Sequence, residues 1–157
     1  MDQNKEYVIN FQRALAAMQA IKPAKYEFRS FVNKLVKANK PSADEAGEEL
    51  QIMDEVFSEV RVEHCKKDKD GKPEVEPIID PKTGQKLGTQ YMGLTKGECP
   101  EFDVALKEHA DRRKGFLKET VTLDIPADLT IDKKFLPKDD NKDYDGSLQY
   151  FIEDFIK

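Results

Sequence analysis

The chain has 157 residues and a formal net charge of −5, from 26 basic and 31 acidic side chains. Hydrophobic residues make up 38% of it, which is enough apolar material for a folded core and excludes wholesale disorder. No basic cluster stands out in the sequence, and this disfavours nucleic-acid binding because phosphate recognition needs segregated positive charge.

Export and membrane insertion are also disfavoured. No apolar run approaches the ~18 residues needed to cross a bilayer. The N-terminal sequence MDQNKEYV lacks the features of a signal peptide, and the chain has only two cysteines. We therefore predict a cytoplasmic protein that does not contact membranes.

The N-terminal part has the spacing of two amphipathic helices. Apolar residues at steps of three and four predict a helix over about 4–21: Val8, Phe11, Leu15 and Met18. Pro23 suits the first turn of a second helix. The buried stripe of this second helix is expected to contain Phe28, Phe31, Val32, Leu35 and Val36.

The sequence SADE at 42–45 matches a capping box, in which Ser42 and Glu45 satisfy free backbone donors at a helix start. It favours a new helix there; the alternative is that Pro41 only kinks one continuous helix. In both cases residues 24–66 form a long rod with a solvated charged face.

A further stripe at a 3-4-3 spacing follows in this rod, formed by Leu50, Met53, Phe57 and Val60 and widened by Ile52 and Val56. We expect it to pack across the hairpin against residues of the first two helices, namely Phe11, Leu15, Phe28 and Leu35.

The middle of the chain predicts a β-hairpin. The sequence DPKTG at 80–84 is strong turn chemistry, since proline presets one turn dihedral and glycine accepts a positive one. The flanking segments 75–79 and 86–92 are predicted strands.

The C-terminal third predicts a helix from Pro100, a strand over TVTLDI (120–125), a loop containing one possible short strand, and a closing helix of about eleven residues. The closing helix has one apolar face, formed by Leu148, Phe151, Ile152 and Phe155. So short a helix is marginal in water by itself, and we expect it to dock on this chain rather than on a partner.

These elements predict an α+β fold, mainly α, with a long helical hairpin, a small β-hairpin and a short C-terminal helix. We expect a single domain over residues 1–157. Its parts are a helical hairpin at about 4–66, a β-hairpin insertion at about 74–95 and a helix-strand-helix segment at about 100–157.

The chain contains four residues that are commonly metal ligands or nucleophiles, namely His64, Cys65, Cys99 and His109. Together they could supply a two-Cys, two-His zinc set, but no C-x-x-C or H-x3-H pair is present, and adjacent His64 and Cys65 point about 100° apart on a helix. A nucleophilic pair of Cys99 and His109 lacks a visible third group to orient it. We predict no metal, cofactor or catalytic residue and expect His64-Cys65 to be incidental.

The sequence DKDGKPEVEP resembles a calcium-binding loop only in composition. With Gly71 at the sixth position of such a loop, Lys66 and Pro77 occupy the first and twelfth positions, where carboxylates are required. A charged turn is therefore predicted.

The chain has, in order, an N-terminal helix pair, the turn KDKDGKP, a helix that runs into LKETVTLDI, and the closing LQYFIEDFI. This order of parts resembles small uncharacterised proteins of tailed bacteriophages. The matching motifs are Glu119 to Ile125 and Leu148 to Glu153, whereas Pro41 and the 74–99 insertion depart from the pattern. The resemblance implies a viral origin, in the host cytoplasm or the virion, and no catalytic residues.

Three functional hypotheses follow. The first is a non-enzymatic phage protein that works through protein–protein contacts in virion assembly or host takeover, with a phage or host protein or a second copy of itself as partner. The second is an inhibitor whose acidic surface blocks a host defence protein at a basic, nucleic-acid-facing groove. The third is a metal-dependent enzyme.

Overall fold

A computed structural model describes residues 2–157. The elements follow in the order β1 (Asp2–Asn4), α1 (Lys5–Gln19), α2 (Tyr26–His64), β2 (Val75–Ile79), β3 (Lys86–Tyr91), α3 (Pro100–Lys118) and β4 (Thr120–Thr122). Two 3-10 helices, Lys133–Phe135 and Gly146–Phe155, complete the chain. The fold is α+β and mainly α, as predicted.

The chain divides into two compact units. Unit 1 comprises Met1–Glu48 and Phe116–Lys157, and unit 2 comprises Glu49–Gly115. The helices α2 and α3 each supply residues to both units. That residues 1–157 form a single domain stays a prediction.

The core of unit 1 is built from the predicted stripes of the first two helices. Phe11, Leu15 and Met18 of α1 are buried against the stripe of α2, which includes Phe28 and Leu35. Between the two helices, Asn39 Nδ2 donates a 2.6 Å hydrogen bond to Gln12 Oε1. The hairpin of α1 with the first part of α2 is therefore confirmed.

A second, smaller cluster in unit 1 joins Val8, Ala43 and Leu123. Leu123 directly follows β4, which pairs antiparallel with β1, with Asn4 opposite Thr120. The predicted strand at 120–125 is thus shorter than expected and ends at Thr122.

The expected new helix start at Ser42 is wrong, because α2 runs without a break from Tyr26 to His64 and contains Pro41 in its interior. Proline has no N–H to donate within the helix. Packing on both sides of Pro41 stabilises the continuous helix, because Leu35 before it and Ala43 after it are buried against residues of unit 1. The alternative of one helix through Pro41 is confirmed.

Ser42 therefore lies inside a helix and has no capping role to lose. Replacing Ser42 by Ala is expected to leave the free energy of unfolding unchanged or to raise it by a few tenths of a kcal/mol, since alanine has the higher helix propensity. Urea denaturation measures this. A loss of ~1 kcal/mol, which is the usual effect of removing a cap, would contradict a continuous α2.

We expected Leu50, Met53, Phe57 and Val60 to pack across the hairpin, and this expectation is wrong for Phe57. The Phe57 ring stacks on Phe102 and His109 of α3, with centroid distances of 5.7 and 4.3 Å. Helix length explains this. At 1.5 Å per residue, the 15 residues of α1 extend about 22 Å and the 39 residues of α2 about 58 Å, so α1 covers only part of α2.

The β-hairpin in unit 2 forms as predicted. Val75 pairs with Tyr91 and Ile78 with Gly88, and the register shifts between Ile78 and Ile79. The turn has Gly84 at a φ of 72°. Asp80 Oδ1 accepts a 2.8 Å hydrogen bond from the backbone N–H of Lys82, which closes the turn.

The C-terminal segment docks on this chain, as expected, although it is a 3-10 helix and not an α-helix. Ile152 and Phe155 are buried in the unit 1 core. Backbone hydrogen bonds of 2.8 Å join Ile131 to both Phe155 and Lys157, so that the expected short strand of the preceding loop is reduced to one bridge, Ile131 with Ile156.

Candidate functional site

His64 and Cys65 lie at the end of α2. Cys65 is buried, and its thiol donates to the carbonyl oxygen of Val62 at 3.3 Å. Cys99 immediately precedes α3, with its sulfur 3.7 Å from a carboxylate oxygen of Glu101. Both thiols therefore have local partners within their own segments.

His109 has a packing role in unit 2. Its ring lies almost parallel to that of Phe57, at an interplanar angle of 6°, and its Nε2 is 3.5 Å from Asp54 Oδ1. Arg113 approaches the same carboxylate oxygen at 3.8 Å. Among residues 2–157, no three His, Cys, Asp or Glu side chains converge in a way that would hold a metal ion.

The segment after α2 is the predicted charged turn. Asp68 Oδ1 accepts hydrogen bonds from the backbone N–H groups of Asp70 and Lys72 at 2.9 and 3.0 Å. Gly71 occupies a positive φ of 79°. The carboxylate of Asp68, which a calcium loop would need as a ligand, instead accepts hydrogen bonds from the backbone of its own turn.

The shifted pKa values belong to structural groups. Hydrogen bonds from backbone N–H groups lower the pKa of Asp80 in the hairpin turn and of Asp145, which caps the C-terminal 3-10 helix. Burial raises the pKa of Tyr7 and Tyr144 in unit 1, and nearby acidic groups add to the effect. These shifts give no indication of acid–base chemistry.

Apolar side chains are distributed very differently in the two units. Of the 21 buried hydrophobic residues among positions 2–157, unit 2 supplies four, yet nine of the eleven exposed large hydrophobic residues in that range belong to it. Four lie in the hairpin: Val75, Ile78, Ile79 and Leu87. Unit 2 therefore presents much of its apolar material to solvent.

The exposed face of α2 in unit 2 combines apolar and acidic side chains. Its apolar members are Ile52, Val56 and Val62, and its acidic members are Glu49, Glu55, Glu59 and Glu63. The expectation that Ile52 and Val56 widen the packed stripe is therefore wrong. A turn of 100° per residue brings 52, 56, 59 and 63 onto one side of the helix. The one basic residue between 49 and 63 is Arg61, whose guanidinium lies 4.7 Å from the Phe57 ring.

A cavity of about 650 Å³ lies in unit 1 between residues 22–25 and residues 134–142, the second of which begins in the 3-10 helix Lys133–Phe135. Its lining includes five lysines: Lys22, Lys25, Lys134, Lys138 and Lys142. Two hydrogen bonds link the segments: Lys25 Nζ donates to the carbonyl of Lys134 at 3.0 Å, and Asn141 Nδ2 donates to the carbonyl of Lys22 at 3.2 Å. We call this feature the lysine cavity.

The lysine cavity is not predictable from the sequence. Its lysines belong to two segments more than a hundred positions apart, and in the second of these segments Lys138 and Lys142 each precede an aspartate. The sequence spacing carries no signal for the convergence, which appears only in the folded chain.

Within residues 2–157, every helix is too short or too polar to cross a lipid bilayer. Comparison of the chain with protein-family models, with curated proteins and with solved structures gives no match.

Proposed function

We propose that this chain is a non-enzymatic bacteriophage protein that acts through protein–protein contacts, in virion assembly or host takeover. One observation carries the proposal: in the part of the chain that the structure describes, unit 2 contributes nine of the eleven exposed large hydrophobic residues but only four of the 21 buried ones. Contiguous exposed apolar side chains are typical of surfaces that bind another protein, and four of the nine lie on the paired strands of the hairpin. The resemblance of the motifs at 119–125 and 148–153 to small phage proteins supports the phage origin.

The hairpin is the first part of unit 2 that a partner would cover. Every residue of β2 is exposed, as are four of the six residues of β3. A two-stranded hairpin is at best marginally stable in water by itself. Burial of Ile79 and Leu87 by a partner would remove apolar surface from water and stabilise the hairpin at the same time.

The acidic face of α2 favours a second candidate, an inhibitor of a host defence protein. Within residues 2–157, the carboxylates of Glu49, Glu55, Glu59 and Glu63 form no ion pair, so this face keeps its negative charge. Such a face suits a basic groove that normally holds nucleic acid. Binding of this kind should weaken steeply as the salt concentration rises.

Affinity capture from infected cells, followed by quantitative mass spectrometry, tests the proposal. The tagged wild-type chain is compared with Ile79→Ser/Leu87→Ser in the hairpin and with Ile52→Ser/Val56→Ser on α2. At least one of these pairs is expected to reduce recovery of the specific partner roughly tenfold, which corresponds to a loss of about 1.4 kcal/mol of binding free energy. The four positions are exposed, so the variants should keep the wild-type melting temperature.

Tyr26→Ser is the matched control, because Tyr26 is 78% exposed but belongs to unit 1. It should leave recovery unchanged. Virion proteins among the partners indicate assembly, and a host nuclease or signalling enzyme captured only at low salt indicates inhibition. A partner that is retained equally by all the variants would contradict the assignment of binding to unit 2.

A further inference from the structure

The lysine cavity has the dimensions of a small-molecule site. Its volume of about 650 Å³ falls within the ~300–1,000 Å³ typical of ligand pockets. It lies in unit 1, away in sequence from the exposed apolar residues of unit 2, and it is independent of the function proposed above.

The charge around the cavity is opposite in sign to that of the whole chain. Five lysines line it, against one acidic residue, Asp140, in a chain of net charge −5. Lys134 lies 3.7 Å from Asp132. The remaining four lysines make no ion pair with any residue from 2 to 157. Positive charges lining one concavity attract anions into it and raise their local concentration.

The cavity also has an apolar wall. Phe135, Leu136 and Ala24 line it, and all three are half-buried and pack against the unit 1 core. The ammonium groups of Lys134 and Lys25 are 5.1 and 5.8 Å from the centroid of the Phe135 ring. An aromatic ring held in position by the core therefore stands beside the positive charges.

We propose that the lysine cavity binds a nucleotide, with its phosphate groups among the lysine ammonium groups and its base against Phe135 and the apolar wall. A nucleotide would contact both the lysines and the apolar wall of the cavity. A simple phosphate would leave the apolar wall exposed, and a fatty acid would bring one negative charge to five lysines. Lysine binds phosphate as a point charge on a flexible stem. Any of the bases can stack on an aromatic ring, because every base has a π-face.

Isothermal titration calorimetry of the full chain tests the proposal, with ATP, inorganic triphosphate and adenosine as probes in magnesium-free, low-salt buffer. ATP is expected to bind more tightly than either fragment. Lys138→Gln/Lys142→Gln should raise the Kd for ATP ~10-fold or more, as expected for loss of charge-assisted contacts. Phe135→Leu keeps an apolar side chain but removes the ring, so it should weaken ATP binding severalfold and leave triphosphate binding unchanged.

Lys107→Gln/Lys114→Gln is the matched control, since it removes the same charge from exposed positions of α3 in unit 2. It should keep the wild-type Kd, and melting curves should show that all the variants fold. Absence of ATP binding at millimolar concentration would overturn the proposal, as would an equal loss of affinity in the control. Triphosphate binding as tightly as ATP, with no effect of Phe135→Leu, would also overturn it, because the site would then be one for phosphate alone.

Discussion

Deletion of residues 147–157 is expected to unfold or aggregate the protein. The segment carries Ile152 and Phe155, which are buried in the unit 1 core, and Phe151, whose ring is 6.1 Å from that of Phe11. Loss of a buried Ile or Phe side chain costs ~2–5 kcal/mol each, and a domain of this kind is stable by only ~5–15 kcal/mol in total. Circular dichroism melting and size-exclusion chromatography of the truncated chain provide the measurement.

Point variants separate a structural role of this segment from a binding role. Ile152→Ala should lower the free energy of unfolding by ~2–5 kcal/mol, because Ile152 is 1% exposed. Glu153→Ala at the exposed neighbouring position should change it by less than ~0.5 kcal/mol. A truncated chain that melts like the wild type but no longer captures its partner would show that the segment is a binding motif and not part of the core.

The features that the sequence predicted correctly are those determined by local pattern. Apolar residues at helical spacing, such as Phe11 and Leu15, identify a buried face wherever that face packs. The turn at 80–84 places the strands at 75–79 and 86–91 because proline and glycine restrict the backbone directly. Neither inference requires knowledge of the rest of the chain.

The errors lie where distant residues decide the outcome. Ser42 has the chemistry of a helix cap, but Ala43 one position later is buried with Val8 and Leu123, and this packing keeps α2 continuous. The stripe at 50–60 has helical spacing, but this spacing does not identify the element that packs against the stripe. The lengths of α1 and α2 could have shown that the first helix does not cover the whole of the second.

The candidate sites could not be predicted in the same way. The acidic face of α2 is visible in the sequence as a charged helix, but only the structure shows Ile52 and Val56 exposed within it. The lysine cavity depends on Lys25 meeting the backbone of Lys134 across two segments that have no periodicity. Convergence of this kind is determined by the packing of the whole unit and not by any short motif.

Replacement of Phe57 by Ala is expected to lower the free energy of unfolding by ~3–5 kcal/mol. Phe57 is 5% exposed, its ring stacks with those of Phe102 and His109, and the guanidinium of Arg61 lies 4.7 Å from its centroid. Unit 2 has only four buried hydrophobic residues, so it has little apolar material with which to fill the space left behind. Urea denaturation measures the effect, and Val56→Ala at the adjacent exposed position is the control.

Proton NMR of the same variant identifies the partner of the Phe57 ring. The chain has two histidines, and only His109 stacks on Phe57, at 4.3 Å. Loss of the ring current should therefore move the His109 ring protons and leave those of His64 in place. An unchanged urea midpoint together with unchanged His109 signals would show that Phe57 packs elsewhere, whereas a shifted His109 signal with a large loss of stability would establish the Phe57–His109 stack as part of the core of unit 2.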